Sequence, residues 1–115
     1  MLRAEYRSTL AEAPAIARQE EHAAIMQLID LIDAATRPGS SVRSGAVLAC
    51  NLNAIWSALV ADLVNPANDL PDDIKARLIS IGIHVIRRAD DIGRGMNSDL
   101  ASLREIHQNI ADGLE

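Results

Sequence analysis

Phenylalanine is absent from this sequence, and its only aromatic residues are Tyr6 and Trp56. A hydrophobic core must therefore be filled by aliphatic side chains, and 49 % of the 115 residues are apolar. Leucine and alanine are strong helix formers, so this mixture favours helix packing. The length suits one domain, which we place over residues 1–115. The sequence predicts an all-α domain with an aliphatic core.

Positive charge is also scarce: 11 basic residues face 16 acidic ones, and the net charge is −5. Nucleic acids and anionic membranes attract basic surfaces, so direct nucleic-acid binding is not expected. Cys50 is the only cysteine and cannot close an internal disulfide, and no secretory signal peptide is recognisable. These features favour a cytoplasmic protein, in which we expect Cys50 to be a buried small apolar group.

One long stretch, Ser44 to Ala61, carries no charge and approaches the length of a membrane span. Asn51, Asn53 and Ser57 interrupt it, and an acidic residue follows it. We interpret it as the central helix of a soluble bundle, packed on both faces, one of large residues and one of small residues. No membrane contact is predicted.

Apolar residues at helical spacing predict four helices, at about 14–36, 42–64, 71–93 and 98–112. Residues 1–12 show no such period and are predicted to be loose. Proline- and glycine-containing segments separate the helices, and short turns favour an up-down four-helix bundle.

The helix ends have recognisable residues. A serine of the 40–41 pair is predicted to cap the second helix, and Pro71 to begin the third. Asn97 or Ser98 is expected to cap the fourth helix, and Gly113 to close it. Gly82, inside the third helix, indicates a close helix contact, since glycine there costs about 1 kcal/mol relative to alanine.

Trp56 and the loop after the second helix offer the first candidate binding residues. Trp56 lies in line with large apolar residues, which favours a core position with its indole N–H bonded locally; a partner-facing anchor is the alternative. Leu70 and Pro71 fit a hydrophobic staple and a helix start, and the alternative is a recognition loop that also contains Asn68.

The first helix is the second candidate binding region. Its apolar stripe weakens toward the N-terminus, where Glu21 lies in line with Leu28 and Ile32. A helix that covers only part of its length with apolar residues either projects past the core or waits for a partner. We therefore place Glu21 and Ile25 among the partner-binding residues.

His84 and His107 lie on helices and invite a metal hypothesis. The Glu-x-x-His pairs of carboxylate-bridged di-iron bundles are missing, so both are predicted to be structural, with His84 also a candidate for partner contact. No glycine-rich phosphate loop, nucleophile elbow or pair of catalytic carboxylates is found. We expect no metal, no cofactor, no small-molecule substrate and no enzymatic activity. The basic residues of the third helix alternate with aspartates, which indicates a solvated, salt-bridged face.

The stretch from Trp56 to Leu78 resembles the FlaF family of alphaproteobacterial flagellar regulators. The resemblance rests on short motifs in a fixed order: Ile55-Trp56-Ser57, Asp62, Asn68-Asp69-Leu70-Pro71, the helix start from Ile74 to Ile81, and the closing Ile110, Gly113 and Leu114. It covers roughly residues 50–115. It departs from the expected pattern at three places: an asparagine near the tryptophan (Asn53 or Asn51), His84 and His107.

The resemblance implies a cytoplasmic, non-enzymatic factor for flagellin production and filament assembly. Such a factor acts with the regulator FlbT and looks like a secretion chaperone that binds flagellin. The residues suggest where: a groove between the first helix and the hairpin that bears Trp56 would receive an amphipathic helix. Two alternatives stay open, a post-transcriptional regulator acting on flagellin mRNA through a partner, and a generic helical protein-interaction module.

Overall fold

A computed structural model describes residues 15–96 and 98–114, and of residues 15–19 and 114 it describes the backbone alone. The predicted loose segment 1–12 and Tyr6 therefore lie outside the described residues. The described part contains four α-helices and confirms the all-α bundle: α1 (Ala15–Thr36), α2 (Val42–Val64), α3 (Asp72–Gly93) and α4 (Leu100–Leu114). The molecule is elongated, with extents of 43 × 24 × 24 Å.

The helix ends follow local hydrogen bonding. Ser41 caps α2 as predicted, because its side chain accepts a hydrogen bond from the backbone N–H of Ser44. Pro71 lies one position before α3, and its carbonyl accepts from the Lys75 N–H at 2.9 Å.

The prediction for the cap of α4 was wrong. Asp99, rather than Asn97 or Ser98, accepts from the backbone N–H of Ser102 at 3.0 Å and from its hydroxyl at 2.7 Å. These bonds hold the pKa of Asp99 below its usual 3.8. Gly113 does not close the helix either, since it is buried inside the last turn.

The contacts between helices determine which surfaces are buried. α2 and α3 form the most extensive pair, an antiparallel hairpin, and α1 packs against both α4 and α2. The core contains aliphatic residues from all four helices around Trp56: Ile25, Leu28, Ile29, Ile32, Leu48, Leu52, Leu63, Ile74, Leu78, Val85, Ala89, Leu103, Ile110 and Ala111.

Gly82 lies in a tight contact between α3 and α2, as the sequence predicted. A Cβ atom added there would lie 2.6 Å from Cγ2 of Val60 and 3.3 Å from Cε3 of Trp56. Gly45 of α2 differs, because its added Cβ would meet only Cγ2 of Ile92, at an ordinary 3.7 Å. Packing therefore requires glycine at position 82 and does not require it at position 45.

Alanine substitutions should separate these two glycines by sign. Gly82→Ala forces Val60 and Trp56 to move, a strain of about 1–3 kcal/mol that exceeds the roughly 1 kcal/mol gained from helix propensity. Gly45→Ala keeps the gain and adds no strain, so it should raise the free energy of unfolding by up to about 1 kcal/mol. Urea denaturation followed by circular dichroism measures both.

The double variant Val60→Ala/Gly82→Ala supplies the control. Removing the Val60 methyl groups opens the space that the new Cβ needs, so the cost of Gly82→Ala should shrink in this background. An equal cost with and without Val60 would mean that the contact at Gly82 does not limit the approach of α2 and α3.

Three ion pairs among the described residues lie at the surface of the bundle. Arg88 pairs with Asp91 at 3.0 Å and Arg94 with Asp90 at 3.1 Å, which confirms the salt-bridged face predicted for α3. Between helices, Nε of Arg104 on α4 lies 2.7 Å from Oδ1 of Asp33 on α1. These pairs are solvent-exposed, so each adds little to stability.

Candidate functional site

Trp56 and His107 form a polar contact inside the core. Trp56 is 2 % exposed and His107 is fully buried. The indole N–H of Trp56 donates to Nε2 of His107 at 2.9 Å, and Nδ1 of His107 lies 2.7 Å from the carbonyl oxygen of Leu103. Since Nε2 accepts, Nδ1 carries the proton and donates to Leu103. The prediction that His107 is structural is confirmed, and the indole bond reaches another helix instead of being local.

The two rings meet edge to face, with centroids 5.8 Å apart and planes at 82°. Burial lowers the pKa of His107 below its ordinary 6.5, and this effect outweighs the hydrogen bond to Leu103, which favours the charged form. The histidine is therefore neutral at neutral pH. A protonated His107 would direct an N–H at the indole N–H, so the pair tolerates only the neutral ring.

The loop between α2 and α3 is organised by two asparagines. Oδ1 of Asn65 accepts from the Ala67 N–H at 2.9 Å, and Oδ1 of Asn68 accepts from the Leu70 N–H at 3.0 Å. Nδ2 of Asn68 also donates to Asp62 at 3.2 Å. Leu70 is half-buried against the core, and Pro71 is exposed. Asn68 and Leu70 thus have structural roles, and their contact with a partner stays a prediction.

The structure separates the remaining candidate binding residues. Ile25 is 2 % exposed, so both it and Trp56 are closed to a partner in this conformation. Glu21 is half-buried on α1, and His84 is exposed on α3. The expected groove between α1 and the hairpin is filled in the described part by side chains of the core, including Leu28 and Ile32. The seven residues do not form one continuous site.

The uncovered surface lies elsewhere, on the side of α2 that faces away from the other helices. We name it the outer face and define it by its exposed residues: Ala46, Val47, Cys50, Asn53, Ala54, Ser57, Ala58, Ala61 and Val64. The expectation that α2 packs on both faces was wrong, because the row of small residues has no neighbouring helix among the described residues. The expectation that Cys50 is buried was wrong for the same reason.

The polar groups of the outer face bond within the helix. The Ser57 hydroxyl donates to Oδ1 of Asn53 at 2.9 Å, and Nδ2 of neighbouring Asn51 donates to the carbonyl of Val47 at 2.8 Å. These polar groups already have hydrogen-bond partners within α2. Covering the outer face would therefore cost less desolvation free energy than its composition suggests. A contiguous row of exposed apolar residues interrupted by few polar ones is typical of an interaction surface.

By length and composition, α2 is also the one helix in the described part that could cross a membrane, and 28 % of its most apolar stretch is buried in the bundle. Core helices of soluble proteins pass the same test of length and composition. Among residues 15–96 and 98–114, no three His, Cys, Asp or Glu side chains are grouped closely enough to hold a metal ion.

The outer face was missed in the sequence although a signal was present. Val47, Cys50, Ala54, Ser57, Ala61 and Val64 follow one another at alternating steps of three and four residues. This spacing is that of a helix seam in a coiled coil, and small residues in it allow close approach of a second helix. The sequence shows this row of residues, but the spacing alone does not reveal whether a neighbouring helix covers it.

One comparison with known proteins identifies a family. The family model described as "Flagellar protein FlaF" matches residues 2–114, almost the whole chain. No curated protein and no solved structure matches the chain.

Proposed function

Because the chain belongs to the FlaF family of flagellar proteins, and so has a role in flagellar biosynthesis, we propose that it is a non-enzymatic cytoplasmic chaperone for flagellin. In this proposal the outer face receives an amphipathic helix of a flagellin subunit and keeps that helix from premature polymerisation. FlbT is a further partner, with which the chain acts in flagellin production.

The observation that carries the proposal is an exposed helix face without charge. From Ser44 to Ala61 the sequence of α2 contains no charged residue, and most exposed side chains of this stretch are small. A client helix can lie close to such a surface and bury its own apolar stripe, which is the usual geometry of helix recognition. The rest of α2 holds the face rigid, since Leu48, Leu52 and Trp56 anchor it in the core.

The test is titration of purified flagellin into the chain, followed by calorimetry and a sizing column. Ala54→Lys places a charge in the middle of the outer face and should weaken flagellin binding at least about tenfold, because the lysine must be desolvated in the complex. Both residues are good helix formers and position 54 is exposed, so the fold should be kept. Ala101→Lys, an exposed alanine on α4, is the matched control.

Other outcomes would contradict this proposal. Equal flagellin binding by Ala54→Lys, combined with its loss in Glu21→Lys, would move the client to the first helix. Absence of any complex with either flagellin or FlbT at micromolar concentration would remove the chaperone function. A salt-sensitive gel shift of flagellin mRNA by the chain alone would instead support direct post-transcriptional regulation. A net charge of −5 disfavours such binding, because the phosphate backbone of RNA is also negative.

A further inference from the structure

The charges at the ends of α2 are reversed relative to the helix dipole. Arg43 lies in the first turn, where the dipole favours acidic residues, and Asp62 lies in the last turn, where it favours basic ones. Arg43 is exposed and makes no ion pair with the described residues, and the carboxylate of Asp62 accepts a hydrogen bond from Asn68. No ion pair among the described residues offsets this arrangement.

The same polarity extends over the ends of the α2–α3 hairpin. Beyond the C-terminal end of α2, the exposed residues Asp69, Asp72 and Asp73 add negative charge. At the opposite end Arg37 precedes Arg43, whereas the aspartates there, Asp90 and Asp91, are already paired with Arg94 and Arg88. The end of the hairpin near Asp62 is therefore mainly acidic, with Lys75 and Arg77 as its basic residues, and the end near Arg43 is mainly basic.

We propose that two copies of this chain pair through their outer faces, with the two α2 helices antiparallel. Antiparallel pairing brings the basic end of each helix to the acidic end of the other, whereas parallel pairing would place like charges together. It also places Arg43 near the carbonyl end of the partner helix, where its charge is favourable. The occupant of the face is thus indicated by the charge pattern of the face itself.

The seam predicts a register. When the pairing is centred on Ala54, Val47 faces the partner's Ala61 and Cys50 faces the partner's Ala58. Asp62 of the partner subunit then lies three residues along the axis from the position opposite Arg43, about 4.5 Å, within reach of an arginine side chain. Small residues along this seam allow the two axes to approach at the short end of the usual 8–10 Å.

A single helix pair buries less area than the roughly 1,200–2,000 Å² of a stable interface, so the dimer should be weak and form reversibly. This inference goes beyond the proposed function and does not require it, because it concerns the chain without any client. Sedimentation of the full chain from about 1 µM to 1 mM, the range in which weak complexes form, should show a monomer–dimer equilibrium.

Charge reversal tests the orientation. Arg43→Asp and Asp62→Arg should each weaken the dimer about tenfold, because each replaces two attractive contacts by repulsive ones. The double variant Arg43→Asp/Asp62→Arg should restore it. Each substitution places the favoured charge at its helix end, although Asp62→Arg also removes the hydrogen bond from Asn68. Thermal unfolding of each variant checks that the fold is kept.

Cysteine cross-linking tests the register. Ala58→Cys should form an intermolecular disulfide with Cys50 under mild oxidation, because the two residues face each other in the antiparallel pair. The unsubstituted chain, whose two Cys50 residues are then about eight positions or 12 Å apart along the axis, should not. Ala101→Cys on α4 is the control for random collision.

Several results would overturn the proposal. A chain that remains monomeric at 1 mM contradicts it, and Cys50 that then resists maleimide labelling would show that a segment of the same chain covers the face. A rapid Cys50–Cys50 disulfide without any effect of charge reversal would indicate parallel pairing. Binding of a monomer to lipid vesicles through the outer face, blocked by Ala54→Lys, would assign that face to a membrane surface.

Discussion

Trp56→Ala should lower the free energy of unfolding by about 3–5 kcal/mol, the range for removing a buried aromatic side chain. Trp56 is 2 % exposed and touches residues of α3 and α4 as well as its own helix. Its loss opens a cavity where the hairpin meets the rest of the bundle. Domains of this size are stable by only about 5–15 kcal/mol, so the variant should be partly unfolded at 37 °C. Urea denaturation followed by circular dichroism gives the number.

A double-mutant cycle separates the volume of Trp56 from its hydrogen bond. Trp56→Phe removes the indole N–H and leaves Nε2 of His107 buried without a donor, at a cost of about 1–3 kcal/mol besides the smaller ring. His107→Leu leaves the indole N–H without an acceptor, with a similar cost. The pair Trp56→Phe/His107→Leu removes both polar groups, and it should cost clearly less than the sum of the single changes.

Additive costs in this cycle would show that the bond between Trp56 and His107 contributes nothing to stability. Leu103→Ala is a useful comparison, since it removes a buried side chain from α4 without touching the hydrogen bond. It should destabilise the chain by about 2–5 kcal/mol in either background and show no coupling to Trp56→Phe. Strong coupling would mean that the measured term reflects general loosening of α4.

The helices could be predicted from sequence because local chemistry fixes them. Ser41 before α2 and the proline-containing loop after it define both ends without tertiary information. The start of α4 was missed because Asn97, Ser98 and Asp99 are all good capping residues in succession. Asp99 caps the helix because the hydroxyl of Ser102 donates a hydrogen bond to its carboxylate.

The candidate site was harder to predict, since it depends on which helices become neighbours. Trp56 and His107 each lie on an apolar stripe, but nothing in the periodicity shows that residues 51 positions apart meet at one height. Likewise, a helical wheel shows that α2 has two apolar sides, but it does not show how many helices pack against them. α4 packs mainly on α1 and leaves the small residues of α2 uncovered.

The two proposals for the outer face make a joint prediction. If a second copy and a flagellin helix use the same residues, they cannot bind together, and flagellin added to a concentrated sample should convert the dimer into a complex with one copy of each chain. A weak dimer would then shield the apolar face when no client is present. A complex that contains a dimer of this chain together with flagellin would place flagellin on a different surface.

Acid should destabilise the chain through His107. Its pKa is lowered in the folded chain by burial, while the unfolded chain has the ordinary value of 6.5. Below pH 6.5 the unfolded state therefore binds a proton that the folded state refuses, and the free energy of unfolding falls as the pH decreases toward the folded pKa. The limiting slope is about 1.4 kcal/mol per pH unit for one proton. Above pH 6.5 this contribution is fully present and constant.

Urea denaturation at several pH values between 8 and about 5 measures this slope, in a range that avoids the carboxylates. Asp99 does not interfere, since its pKa lies below 3.8. His107→Leu should lose most of the slope, whereas His84→Gln, which removes an exposed histidine, should keep it. Equal stability of the unsubstituted chain at pH 7.5 and pH 5 would contradict the neutral, buried state of His107.

Because a charged ring would oppose the indole N–H of Trp56, acid should loosen the contact of α4 with the hairpin first, and Trp56 fluorescence should change before the helices unfold.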